Sequence, residues 1–199
     1  MNVRRFLAGF AVAALAATAP APAALAVGAK APDFTLQATQ VGNAFTFILA
    51  EALKKGPVVL YFYPAAFTTG CTIEAHDFAD AIDQYHALNA TVIGVSHDPL
   101  DKLQKFSVSE CRSKFAVAAD TQQTVEKAYD AVLAAHPQYA NRTSYVIAPD
   151  GTVRLNPPAS AMFVVIGPVW VSCQRARLTG PAFSHRLRVL GAPHIAVTR

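Results

Sequence analysis

The chain has 199 residues, 53% of them apolar and 15% charged, a composition that excludes intrinsic disorder and suits one domain with a substantial core. Its formal net charge of +4 is unevenly held: residues 27–153 carry nine Lys or Arg against thirteen Asp or Glu, whereas residues 154–199 carry six Arg and no acidic residue. The body is therefore mildly acidic, and without a basic patch interleaved with aromatics it offers no nucleic-acid-binding face.

The first 26 residues read as a secretory signal. Arg4 and Arg5 form its positive end, Phe6 to Ala19 its uncharged apolar stretch, and Ala24-Leu25-Ala26 the small residues for cleavage. That stretch is short for a bilayer-spanning helix of about 20 residues. Export with cleavage before Val27 is expected, placing the mature chain in the periplasm with no stable membrane association.

Gly28-Ala-Lys-Ala-Pro32-Asp-Phe34-Thr-Leu36 reads as a loop with a brief strand. Val58 to Tyr63 is a nearly continuous β-branched and aromatic run, the pattern of a strand buried on both faces. From Thr72 to Asn89, Phe78, Ile82, Tyr85 and Leu88 recur at steps of three and four, one apolar helix face, with Asp77, Asp80 and Asp83 elsewhere on the wheel. Thr91 to Ser96 reads as a second buried strand, followed by a helix opened by Asp98-Pro99 and running toward Glu110. A short strand at Phe115–Val117, a helix over Thr124–Ala135 and a strand at Thr143–Ile147 complete the alternation. Pro149-Asp-Gly151 is a turn leading into a last strand, Thr152–Leu155. This order predicts an α/β fold with a central mixed sheet flanked by helices.

Residues 27–155 thus form the expected domain. Beyond them the character changes: residues 154–199 contain no Asp, Glu or Lys and show no clean helical or strand period. An off-frame reading of GC-rich DNA yields such a composition, so residues 156–199 are expected to be an anomalous, frameshifted tail in place of the domain's authentic end.

The chemistry concentrates where the first buried strand ends, in Pro64-Ala-Ala-Phe-Thr68-Thr-Gly-Cys71. A cysteine at a strand-to-helix turn meets the free N–H groups of the helix's first turn, which favour an anion there. The thiolate is that anion and is the nucleophilic form of cysteine. Thr68, three residues earlier, can turn its hydroxyl toward the same sulfur. Cys111 and Cys173 bring the cysteine count to an odd three, and the spacings match no zinc pattern.

Pro64, Thr68 and Cys71 stand in the P-x-x-x-T-x-x-C arrangement of the peroxiredoxins, and Phe67-Thr-Thr-Gly-Cys71-Thr-Ile-Glu74-Ala resembles their bacterioferritin-comigratory or Q-type branch. The resemblance extends through Val92-Ile-Gly-Val-Ser96 to Arg142-Thr-Ser-Tyr-Val-Ile147. It implies a thioredoxin-like fold and a cofactor-free, thiol-dependent reduction of hydrogen peroxide or organic hydroperoxides, in antioxidant defence. In that reading Cys71 attacks the peroxide, Thr68 holds the incoming oxygen, Arg142 stabilises the thiolate and the developing charge, and Pro64 shields the sulfur. Glu74 charges the first helical turn and has a secondary role in orienting Arg142.

Recycling stays open at this level. Some members of the branch carry a resolving cysteine five residues after the first, where this chain has His76. Cys111 is the alternative resolving residue or else a structural thiol, in which case a thioredoxin-like protein or a small thiol reduces Cys71 directly. The same resemblance is compatible with a monomer or a homodimer. Two other functions compete. An exported thioredoxin-like thiol–disulfide oxidoreductase needs a C-x-x-C pair, and neither position 68 nor position 74 is cysteine. An inactive, redox-responsive binding protein is motivated by the tail.

Overall fold

The structure is a computed structural model that describes residues 24–156. Most of the expected signal, the tail beyond Asn156 and Cys173 lie outside those residues. Seven strands form one sheet in the order β2-β1-β5-β4-β3-β6-β7. Its centre is parallel, β3 (Val58–Phe62) beside β4 (Thr91–Ser96) and β4 beside β5 (Ala116–Ala119). Both flanks are antiparallel: β1 (Thr35–Gln40) and β2 (Asn43–Ile48) on one side, β6 (Thr143–Ile147) and β7 (Val153–Leu155) on the other.

Every residue of β3 is buried, and its period of two divides the core. Val59, Tyr61 and Tyr63 face helices α2 (Thr69–Ala87) and α3 (Leu100–Ser109), whose Phe78, Ile82, Tyr85, Leu103 and Phe106 share their cluster. Val58, Leu60 and Phe62 face the opposite layer, with Leu49 and Leu53 of α1 (Leu49–Lys55) and Val125 of α4 (Thr124–Ala128). Each Val, Leu, Ile or Phe among them stabilises the fold by about 1.5–3 kcal/mol when fully buried. The mixed sheet and its flanking helices are therefore those expected from the alternating pattern.

Two differences matter. The helix expected over 124–135 ends at Ala128, because Asp130 takes a left-handed conformation (φ 49°) and Val132 bridges to Ala140 in a tight excursion. Asp120 opens this short α4, its carboxylate accepting the N–H groups of Thr124, Val125 and Glu126 at 2.8–3.0 Å. The second difference is at the amino-terminal edge: β2 and α1 carried no pattern that announced them, and β2 is largely exposed. Leu25, in the expected cleavage region, donates its N–H to the Tyr145 hydroxyl at 3.3 Å, a contact of the uncleaved chain.

Candidate active site

The ladder between β3 and β4 ends where Tyr63 donates its N–H to the Val95 carbonyl at 3.1 Å. Pro64 follows, half-buried, and has no N–H to continue the ladder. The turn then passes Phe67 at φ 66°, a left-handed conformation that costs an aromatic residue on the order of 1–3 kcal/mol. The Phe67 ring, although largely exposed, packs edge-on against Phe106 at 5.3 Å and so ties the turn to the core.

Helix α2 makes its first intrahelical bond from Thr72 N–H to Thr68 carbonyl at 2.9 Å. Thr69, Gly70 and Cys71 consequently keep backbone N–H groups with no helical partner, which polarise the site in favour of an anion. Cys71, third in the helix, is only 2% exposed and is unpaired with any other cysteine of the described residues. Its sulfur is held at the rim of the core rather than on the surface.

Arg142 reaches this sulfur from the neighbouring strand. Phe62 pairs with Thr143 across β3 and β6, so the residue before β6 sits beside the carboxyl end of β3, where α2 begins. Its Nη2 donates to Cys71 Sγ at 3.1 Å, and its Nη1 donates to Glu74 Oε2 at 2.5 Å. A guanidinium has five donors in a fixed plane, so one side chain can serve sulfur and carboxylate together. Burial pushes the Glu74 carboxyl up to about 7, against the downward pull of Arg142.

Gly70 marks the turn before Cys71 in the sequence, and the structure gives it a role of its own. A Cβ there would lie 2.8 Å from Arg142 Nη2. The missing side chain is what lets the guanidinium cross the helix start. Thr68 differs from expectation: its hydroxyl donates to the Ala65 carbonyl at 2.9 Å rather than turning to the sulfur. Its proton is spent inside the turn, which leaves its oxygen lone pairs as acceptors.

Cys111 lies in the same core cluster as Cys71 but is fully buried and free. Burial, with the nearby Glu110 charge, pushes its thiol far above the ordinary range. Its two neighbours both bond to α2, Glu110 to His76 at 3.1 Å and Arg112, through an exposed pair, to Asp80 at 2.5 Å. His76, at the position where some members of the branch carry a resolving cysteine, is bonded to Glu110 beside Cys111. Among the described residues no three His, Cys, Asp or Glu side chains converge as a metal site would require.

The profile of the AhpC/TSA family matches residues 27–156. A Helicobacter pylori (strain J99) chain named as a peroxiredoxin bcp is 39% identical over 107 residues, 54% of this chain and 67% of that one. A chloroplastic peroxiredoxin Q of Oryza sativa subsp. japonica is 32% identical over 127 residues, 64% of this chain and 56% of that one. In structure, the peroxidoxin BcpB of Mycobacterium tuberculosis superposes with a TM-score of 0.64 at 29% identity, covering 77% of this chain and 98% of its own. The chain belongs to the AhpC/TSA family, on the Bcp/Q branch of the peroxiredoxins, which are thiol-dependent peroxidases.

Proposed function

We propose that Cys71 is the residue that reduces the peroxide, and that the two-pronged Arg142 contact to Cys71 and Glu74 is what equips it to do so. The thiolate attacks the terminal oxygen of a hydroperoxide, the S–O bond forms as the O–O bond breaks, and the alkoxide or hydroxide leaves and takes up a proton. Cys71 becomes a sulfenic acid. Arg142 lies where charge moves from sulfur to oxygen and stabilises both ends of that movement. Thr68, its own proton committed to Ala65, accepts the hydroxyl hydrogen of the substrate, and the free N–H groups of the first turn of α2 supply further donors. Pro64 walls the turn between Tyr63 and Thr68.

For recycling, the burial of Cys111 and the bonding of both its neighbours to α2 favour the one-cysteine route. An external thiol, small or on a thioredoxin-like protein, condenses with the sulfenic acid, releasing water and leaving a mixed disulfide. A second thiol displaces Cys71 as a thiol and carries away the disulfide. The Arg-led apolar amino terminus supports export, with this chemistry carried out in the periplasm. The rival thiol–disulfide oxidoreductase has no second cysteine within the first turn of α2 to support it.

The direct test is consumption of hydrogen peroxide and of an organic hydroperoxide with dithiothreitol as reductant, comparing wild type with Cys71→Ser. Loss of activity in the variant is expected. Equal rates in the two proteins would overturn the assignment.

A further inference from the structure

The residues that meet the peroxide sit on a turn, and a turn holds its geometry only where something outside it does the holding. Between the last sheet bond of Tyr63 and the first helical bond of α2, the chain carries Pro64, the left-handed Phe67 and Thr68. Ala66, in the middle of this stretch and 3% exposed, donates its N–H to Asp98 Oδ2 at 2.7 Å. Asp98 is 32 residues away in sequence and 4% exposed, a depth at which a carboxylate persists only when fully paired.

Its partners come from three elements. Ser96, at the end of β4, donates its hydroxyl to the same Oδ2 at 3.0 Å, and Lys102 of α3 donates Nζ to Oδ1 at 2.7 Å. Sheet and helix therefore fix the carboxylate, and the carboxylate fixes Ala66. Ala66 in turn stands between Ala65, whose carbonyl orients the Thr68 hydroxyl, and Phe67, whose strained backbone would relax if its neighbour were released.

We propose that Asp98 is a positioning residue for peroxide reduction, acting through the Ala66 N–H to hold Thr68 and Pro64 at the reacting oxygen. This rests on the reading of Cys71 as the peroxide-reducing residue. Asp98 makes no hydrogen bond to the Cys71 sulfur or to the Arg142–Glu74 pair. Its loss should therefore impair capture of the peroxide without altering how readily the thiolate forms.

The experiment follows the loss of the Cys71 thiol under excess hydrogen peroxide, in single turnover across pH, by mass spectrometry after trapping with dimedone. Asp98→Ala is expected to lower the plateau rate roughly 10- to 100-fold, the scale of a reacting group misplaced by about an ångström. The midpoint of the pH profile stays where it is in wild type. Asp98→Asn keeps a carbonyl oxygen for the Ala66 N–H and should stay within about fivefold of wild type.

If Asp98→Ala does not fold, Ser96→Ala is read instead. It leaves the charge but loosens it, and a plateau lowered by roughly two- to fivefold is expected. An Asp98→Ala plateau equal to wild type, a midpoint that moves with the plateau, or an Asn variant no better than Ala overturns the proposal. So does an unmoved Ser96→Ala plateau where that variant must be used. Wild type whose Cys71 does not react with peroxide removes the peroxidase reading and this proposal together. A reactive wild type with an unmoved plateau in the variant removes this proposal alone.

Discussion

Arg142 Nη2 lies 3.1 Å from Cys71 Sγ, joining the start of β6 to the first turn of α2 across 71 residues of sequence. That contact gives the sulfur a charged, directional donor. Arg142→Lys keeps the charge and loses the planar fork. It is expected to lower the rate of peroxide consumption by roughly 10²-fold, the size of a lost transition-state donor. Urea unfolding should move little, since the lysine keeps the positive charge beside Glu74. Activity within threefold of wild type (about 0.7 kcal/mol of barrier) would count against a role in catalysis.

Gly70→Ala separates stability from activity. A helix gains up to about 1 kcal/mol when Gly becomes Ala, less in its first turn. The added Cβ meets only the mobile end of Arg142, at 2.8 Å, so the arginine swings away rather than the backbone. A melting temperature at or above wild type, with peroxide turnover down roughly tenfold or more, is the expected outcome. Full turnover would show that Arg142 has room to spare.

Glu74→Gln tests what orients the arginine. Because burial raises the Glu74 carboxyl to about 7, its ionised share in wild type grows between pH 6 and pH 8. The variant resembles only the neutral form. Turnover of the variant should match wild type near pH 6 and fall behind by roughly tenfold at pH 8, where the charge-assisted bond to Arg142 is fully formed. A pH-independent ratio would rule out this role for the ionised carboxylate.

Glu126 offers a stability test away from the site. It is fully buried, Oε2 accepts from Gln123 at 3.0 Å, and Oε1 has no partner. Burial raises its carboxyl from 4.5 to about 7, the Gln123 bond opposing and the charges of Asp120 and Asp98 adding. The folded state thus binds this proton more tightly than the unfolded chain. The resulting stabilisation is fully present below about 4.5 and lost as pH rises through about 7. Urea titrations should show Glu126→Gln gaining on wild type between pH 5 and 7.5 by up to roughly 3 kcal/mol. A constant difference across that range would contradict the shift.

For Cys111, one equivalent of peroxide followed by alkylation and mass spectrometry should find no Cys71–Cys111 disulfide. Cys111→Ser should retain turnover with dithiothreitol, while losing on the order of 1 kcal/mol of stability from its place in the core. Appearance of the intramolecular disulfide would establish the resolving role and mean that the Glu110–His76 and Arg112–Asp80 pairs open during the cycle.

The buried strands and α2 were legible because their periodicities are local: β3 and β4 are continuous apolar runs, and Phe78, Ile82 and Tyr85 mark one helix face. The helix after Gln123 was read too long, since no local pattern announces the left-handed turn at Asp130. The exposed β2 and short α1 escaped for a related reason. They are specified mainly by pairing with β1 and by the core they cover.

At the site, the order of residues alone pointed to the proposed nucleophile: a cysteine at the start of a helix, after a buried strand and a proline, meets the free N–H groups of the first helical turn. Thr68 and Pro64 came with it because they share the turn. Arg142 and its Glu74 partner were reached from the sequence only through the family resemblance, and what the tertiary structure decided is how groups from elsewhere along the chain meet the sulfur. The β3–β6 register delivers Arg142, the bare Cα of Gly70 admits it, and Glu74 holds its second edge. The pairs beside Cys111 and the bond from Ala66 to Asp98 follow the same rule. Hydrogen bonds close at about 3 Å, and residues tens of positions apart reach that distance only when the sheet has paired and the helices have packed.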